Sequence, residues 1–147
     1  RLVSGFEAPV YITWSGPNRS SLIRIPAGRG LSTRVEFRSP DPTCNPYLTF
    51  AVILAAGLDG IKRGIDPGEP VDLNVYHLSP AERKAMGIKT LPANLKEALD
   101  YLEADKVVRE ALGEHVFDNI MRLGLLEWDA YNTFVHPWEI ERYINRF

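Results

Sequence analysis

The fold of this chain is decided by residues 34–60, which read RVEFRSPDPTCNPYLTFAVILAAGLDG. Residues 34–38 alternate charged and apolar side chains, which predicts a strand with one ionic face and one apolar face. Residues 39–46 contain three prolines, and a rigid, irregular turn is expected there because proline fixes φ and removes a donor. Residues 47–58 are almost entirely apolar, which predicts a buried helix rather than an amphipathic one. A strand supported in this way holds its ionic face in a fixed place, as a functional site requires.

The composition around this stretch is typical of one globular domain. The chain has 147 residues, of which 45% are hydrophobic and 24% charged, enough to form a core. The longest apolar run, at residues 47–58, is shorter than the ~20 residues that span a bilayer, so no membrane segment is expected. The single cysteine, Cys44, excludes an internal disulfide and favours a cytoplasmic location. Without an initiator methionine or a signal pattern, the chain is interpreted as part of a longer one.

The charge is unevenly distributed along the chain. Residues 1–38 contain six arginines, no lysine and two glutamates, a net charge of +4, so the other 109 residues carry −6 of the total of −2. Guanidinium groups bind carboxylates and phosphates through two parallel hydrogen bonds. The amino-terminal part therefore predicts a compact anion site, whereas the acidic remainder argues against nucleic-acid binding.

Local patterns predict an α+β fold, with short antiparallel strands followed by a helical carboxyl-terminal half. Besides the strand at residues 34–38, short strands are expected at Val10–Trp14 and Leu22–Ile25. Residues 62–78 are interpreted as a surface connection that does not pack. Ser79 and Glu82 have the capping-box spacing of a short helix that ends near Gly87. Further helices are expected over residues 95–102, 105–112 and 114–131, and Pro137 separates the last from an apolar helical tail, residues 138–147.

Common nucleotide and metal motifs are absent from the sequence. Residues 27–30, AGRG, lack the Gly-Lys-Ser/Thr of a phosphate-binding loop and do not form a dinucleotide-binding fingerprint. The histidines are far apart and Cys44 is alone, so no zinc-ligand spacing is present. We assign the histidines no role.

Glu36 is the most distinctive local feature, because it alternates with Arg34 and Arg38. It is interpreted either as part of a cross-strand ion ladder on a solvated face, or as a ligand of a hard cation such as Mg²⁺, with the arginines binding anionic substrates. The pattern alone leaves both interpretations open. Glu7 lies in a Gly/Pro loop, where an acid is commonly just solvent-facing.

Four segments together resemble type I glutamine synthetases of bacteria and archaea: RLVSGFEAP at the start, NRSSLIRIP from residue 18, residues 34–61 and the closing PWEIERY. The resemblance covers all 147 residues and corresponds to about the last third of such an enzyme. It implies that residues 1–147 are the carboxyl-terminal portion of a glutamine synthetase catalytic domain. The implied reaction is ATP-dependent formation of glutamine from glutamate and ammonium through γ-glutamyl phosphate, with Mg²⁺ or Mn²⁺.

The same resemblance implies a role for each charged residue of the amino-terminal part. The implied roles are glutamate binding by Arg1 and Arg38, ATP binding by Arg24 and Arg34, catalysis by Glu7 and Arg19, and metal binding by Glu36. Ser4 and Phe6 depart from the proline and tyrosine common in the family, which bears on the stiffness of the loop around Glu7. Tyr76 falls where some members carry an adenylylated tyrosine, although its neighbours resemble the unmodified subtype.

The resemblance also implies a homo-oligomer, a dodecamer of two stacked hexamers in which the carboxyl-terminal tail packs at subunit contacts. Two other interpretations remain open. In the first, the other site residues lie outside this chain, and the isolated chain is a non-catalytic assembly or regulator-docking module. In the second, the parent enzyme is a related γ-glutamyl ligase that uses another amine in place of ammonia.

Overall fold

The computed structural model describes residues 8–144 and 146. Arg1 and Glu7, two of the predicted site residues, lie outside the described residues. The chain divides into two compact units, residues 1–93 and residues 94–147. The α+β class is confirmed, with a few short strands, all in the first unit, and helices elsewhere.

The strands of the first unit are short, and they form two small sheets in its described part. They are β1 Tyr11–Ile12, β2 Trp14–Ser15, β3 Ile23–Arg24, β4 Glu36–Phe37 and β5 Lys89–Thr90. β1 pairs antiparallel with β5, and β3 lies between β2 and β4 in the second sheet. The predicted antiparallel arrangement holds for β3 and β4 but not for β2 and β3, which run parallel.

The predicted apolar helix is present as α1, Pro46–Arg63. Its start follows from the local sequence, because the Asn45 side chain accepts hydrogen bonds from the backbone of Tyr47 and Leu48 at 3.0 and 3.3 Å, and proline is favoured at the first helical position. Its end follows from Gly64, which has φ +60°, a conformation that glycine adopts at little cost.

The predicted burial of α1 is wrong for this chain. None of its residues is buried, and Tyr47 and Ile61 are 84% and 79% exposed. A helix that is apolar on every side needs neighbours on every side, and the described part of the first unit does not provide them.

The core of the first unit is formed by Val10, Tyr11 and Val75. Val75 is 0% exposed and begins a 3-10 turn, Val75–His77. The prediction that residues 62–78 form an unpacked surface connection is therefore wrong for their last part. Val71, Tyr76 and Leu78 are partly buried against the same core. Composition hid this packing, because these residues alternate with polar ones and follow a Gly/Pro/Asp-rich stretch.

The remaining elements of the first unit follow their local signals. A second 3-10 turn, Gly30–Ser32, lies in the loop before β4. The predicted short helix is α2, Pro80–Ala85, and its capping box is confirmed: the Glu82 backbone donates to Ser79 Oγ at 3.3 Å, and the Ser79 backbone donates to Glu82 Oε2 at 2.7 Å.

The second unit consists of helices in its described part. These are α3 Leu95–Ala104, α4 Lys106–Leu112, α5 Glu114–Thr133 and α6 Pro137–Tyr143. Leu99 of α3 and Phe117 of α5 are buried, and the Arg109 guanidinium lies 4.4 Å from the centre of the Phe117 ring. A methyl group at Gly124 would come within 2.8 Å of a Leu99 side-chain carbon, so α3 and α5 approach closely there.

The tail helix α6 carries exposed apolar side chains, as the sequence predicts: Trp138 is 59% exposed and Ile144, which follows the helix, 67%. Among the described residues, no helix combines the length and the apolar character that a membrane crossing needs.

Candidate functional site

The five predicted site residues that the structure describes all lie in the first unit, and they separate into two groups. Arg24 of β3, Glu36 of β4 and Arg34, two residues before β4, form an ion-pair group. Arg19 and Arg38 line a cavity next to the loop that connects β2 and β3.

The ion-pair group is centred on the Glu36 carboxylate. Arg34 donates to its Oε1 from Nε at 3.0 Å and from Nη2 at 2.7 Å, and Arg24 Nη1 lies 3.2 Å from its Oε2. Arg24 is the residue directly opposite Glu36 in the antiparallel pair, and the two side chains are only about one quarter exposed, at 26% and 27%. The cross-strand ion ladder is therefore the arrangement observed.

The expectation that Arg34 and Arg38 flank Glu36 is correct for Arg34 only. Arg38 turns to the backbone instead: its Nη1 donates to the carbonyl oxygens of Arg19 and of Ser21, the latter at 3.2 Å. Its own backbone N–H donates to the Leu22 carbonyl at 3.0 Å. The second arginine beside Glu36 is Arg24 rather than the predicted Arg38, because the residue opposite Glu36 on the neighbouring strand is closer than the next residue on the same face of its own strand.

The ion-pair group does not by itself provide a complete metal site. No group of three or more His, Cys, Asp or Glu side chains that could hold a metal ion occurs in residues 8–144 and 146. Both oxygens of Glu36 already lie within 3.2 Å of a guanidinium nitrogen. A divalent cation needs several oxygen ligands. Glu36 could supply one ligand, but the described part of the chain places no set of further His, Cys, Asp or Glu ligands beside it.

The second group lines a polar cavity of about 350 Å³. Its lining residues are Asn18, Arg19, Ser20, Arg38, Asn74 and Tyr76. This lining contains two guanidinium groups and no acidic side chain, so its potential is positive. The arrangement suits a phosphate or carboxylate ligand, with the amide of Asn74 as a neutral hydrogen-bonding neighbour.

Two walls of this cavity were missed by sequence reasoning as parts of the site. The sequence pattern does not indicate Asn74, and it indicates Tyr76 only as a position of modification. Both lie more than fifty residues after Arg19, and only the folded path of residues 71–76 brings them to it. No local signal in the sequence marks this contact.

A larger cavity of about 650 Å³ in the first unit contains none of the predicted site residues. Its lining is mainly apolar and includes Ile12, Trp14, Ile23, Val35, Val71 and Met86. Of these two cavities, only the smaller one is lined by arginine side chains.

A family model and the similar curated proteins all indicate the same family. A family model described as glutamine synthetase, catalytic domain, matches residues 1–143. A glutamine synthetase from Methanosarcina mazei is 61% identical over 145 residues, which are 99% of this chain and 32% of that protein. One from Thermotoga maritima is 53% identical over 144 residues, 98% of this chain and 33% of that protein. The chain thus spans about one third of the length of these curated relatives.

Solved structures agree with this similarity. A solved structure described as "Apo GmaS without ligand" superposes on this chain with a TM-score of 0.74 and 35% sequence identity, over 94% of this chain and 31% of that chain. The cryo-EM structure of Plasmodium falciparum glutamine synthetase also gives a TM-score of 0.74, at 25% identity, with 95% of this chain and 35% of that chain covered.

Proposed function

We propose, since the chain belongs to the glutamine synthetase catalytic domain family, that it is the carboxyl-terminal portion of the catalytic domain of a glutamate–ammonia ligase. In the proposed reaction the γ-phosphoryl group of ATP moves to the γ-carboxylate of glutamate, giving ADP and γ-glutamyl phosphate. Ammonia then attacks the activated carbonyl carbon, and phosphate leaves as glutamine forms.

The observation that carries this proposal is the cavity lined by Arg19 and Arg38 without an acidic side chain. Every proposed step brings anions together, because glutamate, ATP and the acyl phosphate are all negatively charged. Fixed cationic donors stabilise such charge in the transition state more than flexible water does.

The proposed roles divide between the two arginines of the cavity. Arg38, whose Nη1 donates to two backbone carbonyls, is held in place and binds the carboxylate of glutamate. Arg19 makes no side-chain hydrogen bond or ion pair to another described residue, so its guanidinium is available for the phosphoryl group in transfer. Arg1 and Glu7 keep the roles that the resemblance implies, glutamate binding and catalysis.

Arg24 and Arg34 are proposed to contact ATP. The buried Nε of Arg24 has no hydrogen-bond partner in the described part of the chain, a donor suited to an anionic ligand. A divalent cation, Mg²⁺ or Mn²⁺, would neutralise phosphate charge when bound. Glu36 is its proposed ligand in this chain, with the other ligands supplied by residues that the structure does not describe.

The proposed setting is a cytoplasmic homo-oligomer, a dodecamer of two hexamers. The exposed side chains at Trp138 and Ile144 support a subunit contact through α6, because apolar surface of this kind is normally covered. Truncation after Pro137 should then reduce the assembly size measured by light scattering while the folded secondary structure remains.

The proposed function is tested by measuring ATP-dependent glutamine formation from glutamate and ammonium with Mg²⁺. The 147-residue chain is compared with the longest native polypeptide that contains it. Activity only in the longer polypeptide supports a synthetase of which this chain is a partial site. Activity in neither favours a non-catalytic assembly module, unless another amine replaces ammonium successfully, which identifies a related γ-glutamyl ligase.

Arg19→Gln in the longer polypeptide tests the phosphoryl role. Loss of one preorganised donor typically lowers kcat by about 10²–10³-fold, and a loss of that size is expected. Arg63→Gln is the matched control, since Arg63 lies on α1 in an exposed ion pair with Asp59 at 3.1 Å and should leave kcat unchanged. An active Arg19→Gln enzyme would contradict the assignment.

A further inference from the structure

The side chain of Asn18 uses its complete hydrogen-bonding capacity. Its Nδ2 donates to the carbonyl oxygens of Val71 at 3.0 Å and Leu73 at 2.6 Å. Its Oδ1 accepts from the backbone N–H and from Oγ of Ser20, at 2.9 and 2.8 Å. The amide orientation follows from these partners, because a flipped amide would place its oxygen against two carbonyl oxygens.

These hydrogen bonds join the loop between β2 and β3 to residues 71–75, a segment more than fifty positions away. Ser20 continues the connection, since its Oγ accepts from the backbone N–H of Val75 at 3.1 Å. Ser20 is 5% exposed and Val75 0%, so water competes little for this hydrogen bond. Ser15 adds another connection by donating to Asp72 Oδ1 at 2.5 Å.

Arg19 lies between the two residues that make these contacts. Its side chain is exposed and has no hydrogen-bonding partner among the described residues, so its position depends on the backbone that carries it. That backbone is fixed on both sides by Asn18 and Ser20, and the Arg19 carbonyl accepts a hydrogen bond from Arg38. The segment held by Asn18 also leads into Asn74 and Tyr76, which line the same cavity.

We propose that Asn18 is a positioning residue that, together with Ser20, sets the placement of Arg19 relative to the opposite wall of the cavity. This inference rests on the proposed function, because it assigns Asn18 a role in phosphoryl transfer through Arg19. Asn18 itself touches neither the phosphoryl group nor glutamate. A displacement of about 1 Å at such a site can cost about 10²-fold in rate.

The test is a double-mutant cycle in the longest native polypeptide that contains this chain. Asn18→Ala is expected to lower kcat at least about tenfold and to leave the KM for glutamate within about twofold, because Arg19 acts in the transition state. In an Arg19→Lys background the same change should lower kcat less than about threefold, since lysine does not require the fixed placement of a planar fork. A merely structural role of Asn18 would lower kcat equally in both backgrounds.

Three further variants strengthen the cycle, the last of them as a control. Ser20→Ala removes only the hydroxyl group and should repeat the pattern more weakly, so it replaces Asn18→Ala if that protein does not fold. Asn18→Asp keeps the acceptors but places a carboxylate oxygen against the carbonyls of Val71 and Leu73, so it should not restore kcat. Asn94→Ala removes an asparagine that caps α3 by accepting from the Glu97 backbone at 2.9 Å, and it should leave kcat unchanged.

The results separate this inference from the proposed function. If the unsubstituted polypeptide forms no glutamine, the proposed function fails. If it is active but Asn18→Ala and Ser20→Ala leave kcat unchanged, or lower it equally in both backgrounds, the positioning role is overturned.

Discussion

Glu36→Gln distinguishes the two interpretations of the ion-pair group, because it removes the charge while keeping the size of the side chain. In the structure, the carboxylate accepts two hydrogen bonds from Arg34 and one ion-pair contact from Arg24. A glutamine retains one acceptor oxygen, but its NH₂ group would face the other guanidinium. One of the two pairs is therefore lost and the other loses its charge assistance.

The expected loss of stability follows from the exposure of these side chains. An exposed ion pair contributes about 0.2–1 kcal/mol, and the pair of Arg24 and Glu36, at 26% and 27% exposure, belongs near the upper end. Arg34 is 53% exposed, so its contribution is discounted for screening by solvent. Together, Glu36→Gln should lower the free energy of unfolding by about 1–1.5 kcal/mol.

The expected effect on activity is separate and larger. If Glu36 is a metal ligand, loss of its charge should lower kcat at least about a hundredfold and raise the Mg²⁺ concentration needed for half-maximal rate. Urea unfolding gives the first quantity, and glutamine formation over a range of Mg²⁺ gives the second. Asp59→Asn is the control, because Asp59 forms an ion pair with Arg63 at a similar exposure of 28%.

Each outcome refutes a particular step. If Glu36→Gln lowers stability but leaves activity unchanged at saturating Mg²⁺, the ion ladder is supported and Glu36 is not a metal ligand. If the loss in free energy of unfolding for Glu36→Gln is within about 0.3 kcal/mol of the loss for Asp59→Asn, the stabilisation assigned to the ion ladder is refuted.

Three further predictions concern stability and association. Leu99→Ala should lower the free energy of unfolding by about 2–5 kcal/mol, and adding Gly124→Ala should recover part of this in urea unfolding, because the new methyl group fills the space that Leu99 vacates; equal effects of Gly124→Ala in both backgrounds would contradict that packing. Hydrogen bonds from the Ser79 side chain and backbone hold the pKa of Glu82 below its ordinary value. The contribution of the capping box should therefore be present above the ordinary pKa of a glutamate side chain and be lost as pH falls through the depressed pKa; a Glu82→Gln variant should lack this acid dependence in circular dichroism. The exposed apolar side chains of α1 should cause concentration-dependent association of the 147-residue chain in sedimentation experiments, and Ile61→Lys should weaken it, whereas a monomer at all concentrations would contradict the prediction.

Local signals were sufficient for the start and end of most helices. Asn45 before Pro46, and Ser79 before Glu82, satisfy free backbone donors of the first turn with side chains only two or three residues away, so the sequence determines them without the rest of the fold. The burial of α1 is a different kind of property. Its apolar sequence predicts that it needs a covering surface, but whether that surface is present depends on residues outside the helix.

The division of the charged strand between two groups depends on one piece of non-local information, the register of β3 against β4. Alternation predicts that Arg34, Glu36 and Arg38 share a face, but it does not specify what lies opposite. With Ile23 paired to Phe37, Arg24 falls opposite Glu36, and the ion pair follows. The Arg38 backbone meets the Leu22 carbonyl, where the chain enters β3 from the loop, so its guanidinium reaches the carbonyls of that loop rather than Glu36. A shift of one residue would exchange the faces, and Arg38 would no longer lie beside Arg19. The register thus places Arg38 beside the loop that carries Arg19, and residues 71–75 hold that loop in place.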